Sequence, residues 1–351
     1  MPTVNKNNYI SIAKAIGIML MVIGHSGSPI MMERFIYLFH MPLFIACSGF
    51  FFKDITESKQ LRQFSAKRLK GLYFPYLRWS ILFLLLHNLF YHLHFYEQPY
   101  STNEFFRNLG KTLFMADFEI LLRPFWFLKA LLFASIFVAG IIFLKNKYQL
   151  RIRHIELLIS ILFITFLLKS SNVHIPILGD PSIISFSMVY YLSGLLIKKI
   201  EKRIPCNIYA ISIEFALLMM GCIYFPGIID MRYTNTFNLF IYFLLSITGI
   251  IFVFTISKII QERGRFTFKN SLYYIGNNTM SIFALNLFAL RIGNFIKVEI
   301  YQLPLDKISS HIIISEYNDY FWLVYSIIGI FIPLLLNYLY KKLYRFIKNN
   351  I

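Results

Sequence analysis

Two ionisable residues interrupt the apolar stretch AKAIGIMLMVIGH, Lys14 near its start and His25 at its end. They lie eleven positions apart, so at 100° per residue a helix returns both to one face, about 16 Å apart along its axis. A charge inside a bilayer costs at least ~2.5–3.5 kcal/mol on insertion scales and needs a partner or a task. A neutral imidazole facing a cavity suits a general base near neutral pH. Alone, Lys14 also fits a residue snorkelling to the interface, and His25 a hydrogen-bonded structural histidine. A second imidazole, His40, opens the next apolar stretch, FHMPLFIACSGFFF, after the short turn SGSPIMMERF. The two helices are therefore expected to be antiparallel neighbours with His25 and His40 at one depth. Pro42 and Ser48-Gly49 permit irregular backbone and close helix approach there. Downstream, KQLRQFSAKRLKGLYFPYLRWS brings Arg68, Lys70 and Arg78 toward Lys14 as a mouth for a phosphate-bearing anion. Lys59 and Arg62, in the same stretch, read as contacts with anionic lipid. A cationic site and a distant imidazole on one face suit a long amphipathic ligand, its anionic head at one membrane surface and its reactive end near His25.

The elements that hold these groups must be membrane-spanning helices. Of 351 residues, 57% are apolar and 15% charged, well below the roughly 25% charge of soluble domains. Windows near 9–28, 35–52, 72–95, 124–144, 154–169, 182–198, 207–225, 237–258, 272–296 and 320–340 approach the roughly 20 apolar residues that cross a bilayer as a helix. The expected architecture is all-α, a polytopic bundle of about ten transmembrane helices forming one domain over residues 1–351. Lys and Arg gather in alternate connections: Lys6, then 53–70, 145–153, 198–203, 258–269 and 341–348. By the positive-inside rule both termini are cytoplasmic, in a multi-pass protein of the cell's inner (plasma) membrane. This distribution accounts for the net charge of +18 without a nucleic-acid partner. Cys47, Cys206 and Cys222 fall in different spans or at different ends of them, so no disulfide framework is expected. The opening stretch, with Lys6 and Lys14 before an apolar segment and then GHSGS, is also compatible with a signal peptide.

Further candidates fall near His25's depth. Lys129, just after FWFL, and Arg291 would suit an acidic or phosphorylated sugar, or snorkel to the outer interface. Trp126 would stack on a sugar or populate the membrane interface. His87, His92 and His94 in HNLFYHLH lack a carboxylate or cysteine at ligand spacing, so they read as an interfacial belt and no metal is expected. Gly276 to Asn278 reads as a helix cap, and KTLFMADFEILL as an interfacial helix.

The segments YISIAKAIGIMLMVIGH, FHMPLFIACSGFFF, KRLKGLYFPYLRW, PFWFLKALL, YYLSGLLIKK and YIGNNTMSIFALN fall in the order and spacing of acyltransferase family 3, nearest its fucose 4-O-acetylase-like subgroup. The resemblance covers nearly the whole chain. It implies a bundle of about ten helices that moves an acyl group, usually acetyl from cytoplasmic acetyl-CoA, onto a sugar of a surface or lipid-linked glycan. His25 matches the family's essential first-span histidine, Lys14 a basic residue that is often arginine, and Trp126-Phe127 a fourth-span tryptophan motif. Arg68 and Lys70 stand in its basic stretch without reproducing the Arg-x-x-Arg form. Ser11 stands where an aspartate is expected, and Asn286 where many members have histidine. Asn286 can hydrogen-bond a sugar or thioester carbonyl but cannot take a proton, so base catalysis falls to His25, with His40 as support or second base. His40, Asn286 or Lys129 would steady an oxyanion. A transporter or flippase of a lipid-linked glycan would use the same intramembrane charges. The lack of an inverted repeat weighs against it.

Overall fold

Backbone polar groups in lipid must be satisfied within their own segment, which makes each apolar run helical. The computed structural model describes residues 8–117, 119–176, 178–317 and 319–350; among these there is no strand, apart from an isolated bridge between Ile175 and Gly179. Ten apolar helices follow the ten expected windows: α1 (Tyr9–Gly24), α2 (Ile30–Phe50), α3 (Ser58–His92), α4 (Ile120–Lys147), α5 (His154–Ser171), α6 (Pro181–Arg203), α7 (Ile208–Tyr224), α8 (Leu239–Arg263), α9 (Thr279–Tyr301) and α10 (Phe321–Lys348). Eight are long and apolar enough to cross a membrane, while α1 and α7 are shorter. The chain is an all-α, multi-pass membrane protein. Lys6 lies outside the described residues.

The start of α1 is tied to the basic ends of its neighbours. The Tyr9 hydroxyl donates to Glu201 at 2.8 Å, and Lys258 of α8 pairs with the same carboxylate at 3.8 Å. α1 also crosses a short helix, Phe266–Asn277, so closely that a Cβ on Gly276 would overlap the Ser11 carbonyl. Ser11 therefore sits in a helix crossing, its hydroxyl 3.4 Å from the Asn277 side chain. The α2–α6 crossing uses the same device reciprocally. Gly49 meets the carbonyl of Tyr191, and Gly194 meets that of Ala46.

Helix α2 is broken in its middle, and the break has identifiable causes. It comprises Ile30–Tyr37 and His40–Phe50, joined through Phe39 at φ −145°. Pro42 has no N–H, so the Leu38 carbonyl four residues back loses its helical donor. The Ser246 hydroxyl of α8 donates to that carbonyl at 2.6 Å, and Tyr242 donates to the Tyr37 carbonyl at 3.2 Å. The Phe39 ring fills the space a side chain at Gly249 would need. Sequence reading located the irregularity at Pro42 and Ser48-Gly49; the freed carbonyl lies one turn earlier than the proline.

Two other elements differ from expectation. The third span is preceded without interruption by helix Ser58–Arg68, through a π-helical turn at Leu69–Tyr73. The helix expected over residues 111–122 spans Thr102–Leu113 instead. A Ser101/Glu104 capping box starts it, and Met115 at φ +53° marks the turn that follows it.

The α2–α6 crossing predicts an asymmetric glycine response. Gly194→Ala should lower stability by roughly 1–3 kcal/mol through overpacking, read as an earlier thermal transition of detergent-purified protein. Gly140→Ala on α4, where a Cβ meets nothing within 4 Å, should be neutral or stabilising by about 0.5–1 kcal/mol.

Candidate active site

Lys14 and His25 line two different hollows on α1. The first, about 310 Å³, opens toward the basic ends of the helices and is lined by Lys14, Ser48, Arg68, Gly71, Thr279 and Phe283, among others. Arg68 is the last residue before the π-helical turn, a distortion that recurs at functional sites. Its guanidinium donates to the Tyr191 hydroxyl at 2.5 Å and packs over the Phe64 and Tyr191 rings at 5.0 and 5.4 Å. Lys14 and Arg68 thus bring two cations to one chamber whose other walls are mostly apolar.

The second hollow, about 220 Å³, holds His25, Tyr37, His40, Arg123, Trp126, Asp230 and Arg232, with Ile312 and Leu287. The break in α2 turns Tyr37 and His40 toward the end of α1. Tyr37 Oη lies 3.3 Å from His25 Nδ1 and 3.4 Å from the Gly24 carbonyl, and its ring packs edge-on to His40 at 4.9 Å. His40 Nδ1 lies 3.0 Å from the Ile36 carbonyl. A carbonyl only accepts, so Nδ1 carries the proton and Nε2 keeps a lone pair. Asp230 and Arg232 come from the connection between α7 and α8. The Asp230 carboxylate accepts from Arg232 NH2 at 3.2 Å and from the backbone amides of Arg232 and Tyr233. The guanidinium lies over Trp126 at 4.8 Å and Tyr233 at 4.6 Å.

The two hollows meet at Phe283, which lines both and stacks on Phe125 at 5.5 Å. A third, largely polar hollow of about 590 Å³ shares Arg232 and Tyr233 with the His25 hollow and continues along Lys169, Asn172, His174 and Asp180.

The other candidates lie apart from these linings. Lys70 and Arg78 are exposed on α3, Arg78 over the Trp79 ring at 5.4 Å. Lys129 is buried on α4. Asn286 is fully buried beside Gly329, its amide atoms without a hydrogen-bond partner among the described residues. Arg291 points into the connection between α9 and α10, where it donates to the carbonyls of Ile308, Ser309 and His311. Asn294 and Lys297, three and six residues on, extend the clamp: Asn294 to Ile308, His311 and Ile312, Lys297 to Ile314 at 2.9 Å. His87 is bonded at Nδ1 to Glu119 and at Nε2 to the Gln98 carbonyl, both at 3.0 Å, and stacks on Tyr96 and Tyr100. The carboxylate missing at local spacing is thus supplied from 32 residues away. Among the described residues no cluster of His, Cys, Asp and Glu could hold a metal.

Sequence reading missed Tyr37, Asp230, Arg232 and Phe283. Tyr37 had a usable signal, three residues before His40 on an apolar segment. Asp230 and Arg232 had none, since a DMR tripeptide in a polar connection is ordinary.

Two substitutions test how the site is held. Ser246→Ala leaves the Leu38 carbonyl unpaired, at a cost of about 1–3 kcal/mol, and should lower the thermal transition of purified protein. Arg291→Met removes a charged donor from three carbonyls, each bond worth roughly 1.5–3 kcal/mol. Limited proteolysis should then cut the 302–317 connection faster while sparing the helices.

Placing Lys14 and Arg68 in one chamber, with His25 beyond a shared phenylalanine, joins the residues that carried the resemblance. No curated protein and no solved structure matches the chain. The acyltransferase domain of acyltransferase family 3 matches residues 7–336, and the chain belongs to that family of membrane acyltransferases.

Proposed function

We propose that the protein moves an acetyl group from cytoplasmic acetyl-CoA to a hydroxyl of a cell-surface or lipid-linked glycan sugar at the opposite face of the inner membrane. In this reading both termini and the basic helix ends are cytoplasmic, and the whole chain is one catalytic unit. The observation that carries it is the pair of hollows meeting at Phe283, two cations in one and two imidazoles in the other. Lys14 and Arg68 hold the phosphates of the donor near the cytoplasmic mouth. The pantetheine arm runs along the apolar walls, and its thioester reaches the Phe283 waist.

The acceptor enters from the other face, past Arg232 and Tyr233. Tyr37 gives its single proton to the Gly24 carbonyl and accepts from His25 Nδ1, which leaves His25 Nε2 as the base. His25 takes the proton of the sugar hydroxyl as that oxygen forms a bond to the thioester carbon. The tetrahedral intermediate then expels the thiolate, breaking the C–S bond. The imidazolium proton returns to the sulfur, so free CoA and the ester leave. With Nδ1 committed to Ile36, His40 offers a lone pair and serves as a second base rather than an oxyanion donor. Arg232 has guanidinium N–H groups for the oxyanion or for an acidic acceptor. The narrow apolar waist limits water at the thioester.

A flippase of the same glycan is the competing reading, and donor chemistry separates the two. Detergent-purified protein should bind acetyl-CoA and release CoA. His25→Ala should keep binding and lose turnover by about 10²–10⁴-fold. Lys14→Gln with Arg68→Gln should raise KM for the donor. Absence of both binding and turnover in folded wild-type protein would overturn the acyl-CoA reading.

A further inference from the structure

A separate hollow lies where α4 and α6 end and α5 begins, about 490 Å³ in volume, sharing no lining residue with the Lys14 chamber. Lys145, Arg151, Arg153 and Lys199 bring cations to it. Its apolar wall includes Leu150, Ile152 and Ile155, which are 48%, 36% and 42% exposed. The connection supplying most of it, Leu150 to Arg153, is not helical and alternates apolar with basic residues.

The frame around this hollow is tied at several points. His154 sits between Lys199, at 3.1 Å from Nδ1, and Asp54, at 3.3 Å from Nε2. Asn146 donates to the Ile55 carbonyl at 2.9 Å, and Glu156 pairs with Arg153 at 2.6 Å. These contacts engage Arg153, Lys199 and His154. Lys145 and Arg151 have no ion pair among the described residues, so their charge is available to a ligand.

We infer that this hollow binds the headgroup of an anionic phospholipid. A soluble phosphate compound would need the cations but would leave Leu150, Ile152 and Ile155 facing water. A phospholipid satisfies both, since its phosphate meets Lys145 and Arg151 while its glycerol and upper acyl chains cover the apolar wall. The depth agrees, because three membrane helices terminate there and the interface must lie close to their ends. Lys59 and Arg62, exposed at the start of α3, carry similar charge but line no such hollow, which makes them the control.

The test is lipid retention by the delipidated full-length protein in detergent, titrated with dioleoylphosphatidylglycerol or dioleoylphosphatidylcholine and read by native mass spectrometry. Wild type should retain one phosphatidylglycerol about tenfold or more tightly than phosphatidylcholine, as expected for two cations near a lipid phosphate. Lys145→Gln with Arg151→Gln should abolish that preference. Lys145→Arg with Arg151→Lys should keep it, and so should Lys59→Gln with Arg62→Gln. Equal retention of the two lipids by wild type would overturn the inference. Equal loss in the control pair would do the same, by assigning the preference to diffuse positive charge. Displacement of phosphatidylglycerol by 3′,5′-ADP would overturn it in favour of a soluble phosphate site. None of these outcomes depends on acyl transfer.

Discussion

The hydroxyl of Ser246 on the carbonyl of Leu38 is the contact on which the imidazole arrangement turns. Pro42 removes a donor from the middle of a span, and in a low-dielectric interior an unpaired carbonyl costs about as much as a lost hydrogen bond. By supplying the donor from another helix, Ser246 makes the break in α2 tolerable. The break in turn lets Tyr37 and His40 face His25 instead of following an uninterrupted helix. Gly249 belongs to the same arrangement, because only a residue without Cβ leaves room for the Phe39 ring at the bend. The arrangement of His25 and His40 is thus held by a proline, a serine and a glycine that have no chemistry of their own.

Buried and half-buried cations in this protein are held in three different ways, and the difference separates cations that face hollows from cations that brace the scaffold. Arg291 and Lys297 give their N–H groups to carbonyls of one connection, and Lys297 also lies over the Phe321 ring. They secure the segment that carries Ile312 into the His25 hollow. Arg232 is paired with Asp230 and held between two aromatic rings, which fixes its direction while leaving it partly accessible. Lys14 and Arg68 instead open onto an apolar chamber, with Arg68 held in place by Tyr191. Charge facing a mostly apolar hollow would suit the anionic donor of the proposed function, whereas charge facing backbone carbonyls has already found its partner.

Legibility in the sequence followed the range of the interaction. Hydropathy windows located all ten helices, because span length is a property of contiguous residues and lipid allows little else. Helical periodicity within one segment picked out Lys14 and His25 as a pair, while their division between two hollows depends on the packing of other helices. The cation mouth was only half readable. Arg68 lines the chamber, while Lys70, two residues on, is exposed, and Arg78 lies beyond the π-helical turn. Arg291 could be recognised as an intramembrane charge, but its carbonyl partners lie 17 to 20 residues away in a connection with no pattern. Asp230 reaches the histidines only through the packing of α7 and α8 against α2, which no local pattern encodes.

Phe283 gives the two hollows a common wall, and this constrains how an acyl group could pass between them. Lys14 on α1 and His25 just past its end are about 16 Å apart by helical rise, so in the proposed reaction the cation-bound part of the donor would not itself reach His25. In that reaction a long, flexible, largely apolar arm would span the distance past Phe283, which lines both hollows, with Phe127 and Leu128 on the Lys14 side. Phe283 stacks on Phe125 and packs edge-on against Phe127. Its ring therefore has aromatic neighbours in the rest position and must swing or be bypassed for the arm to pass. Such a waist favours a slender thioester arm over a hydrated glycan, which would have to shed its water to enter. Under the proposed function, the constriction that a donor arm would pass from one face would oppose passage of a sugar from the other, which favours acyl transfer over transport.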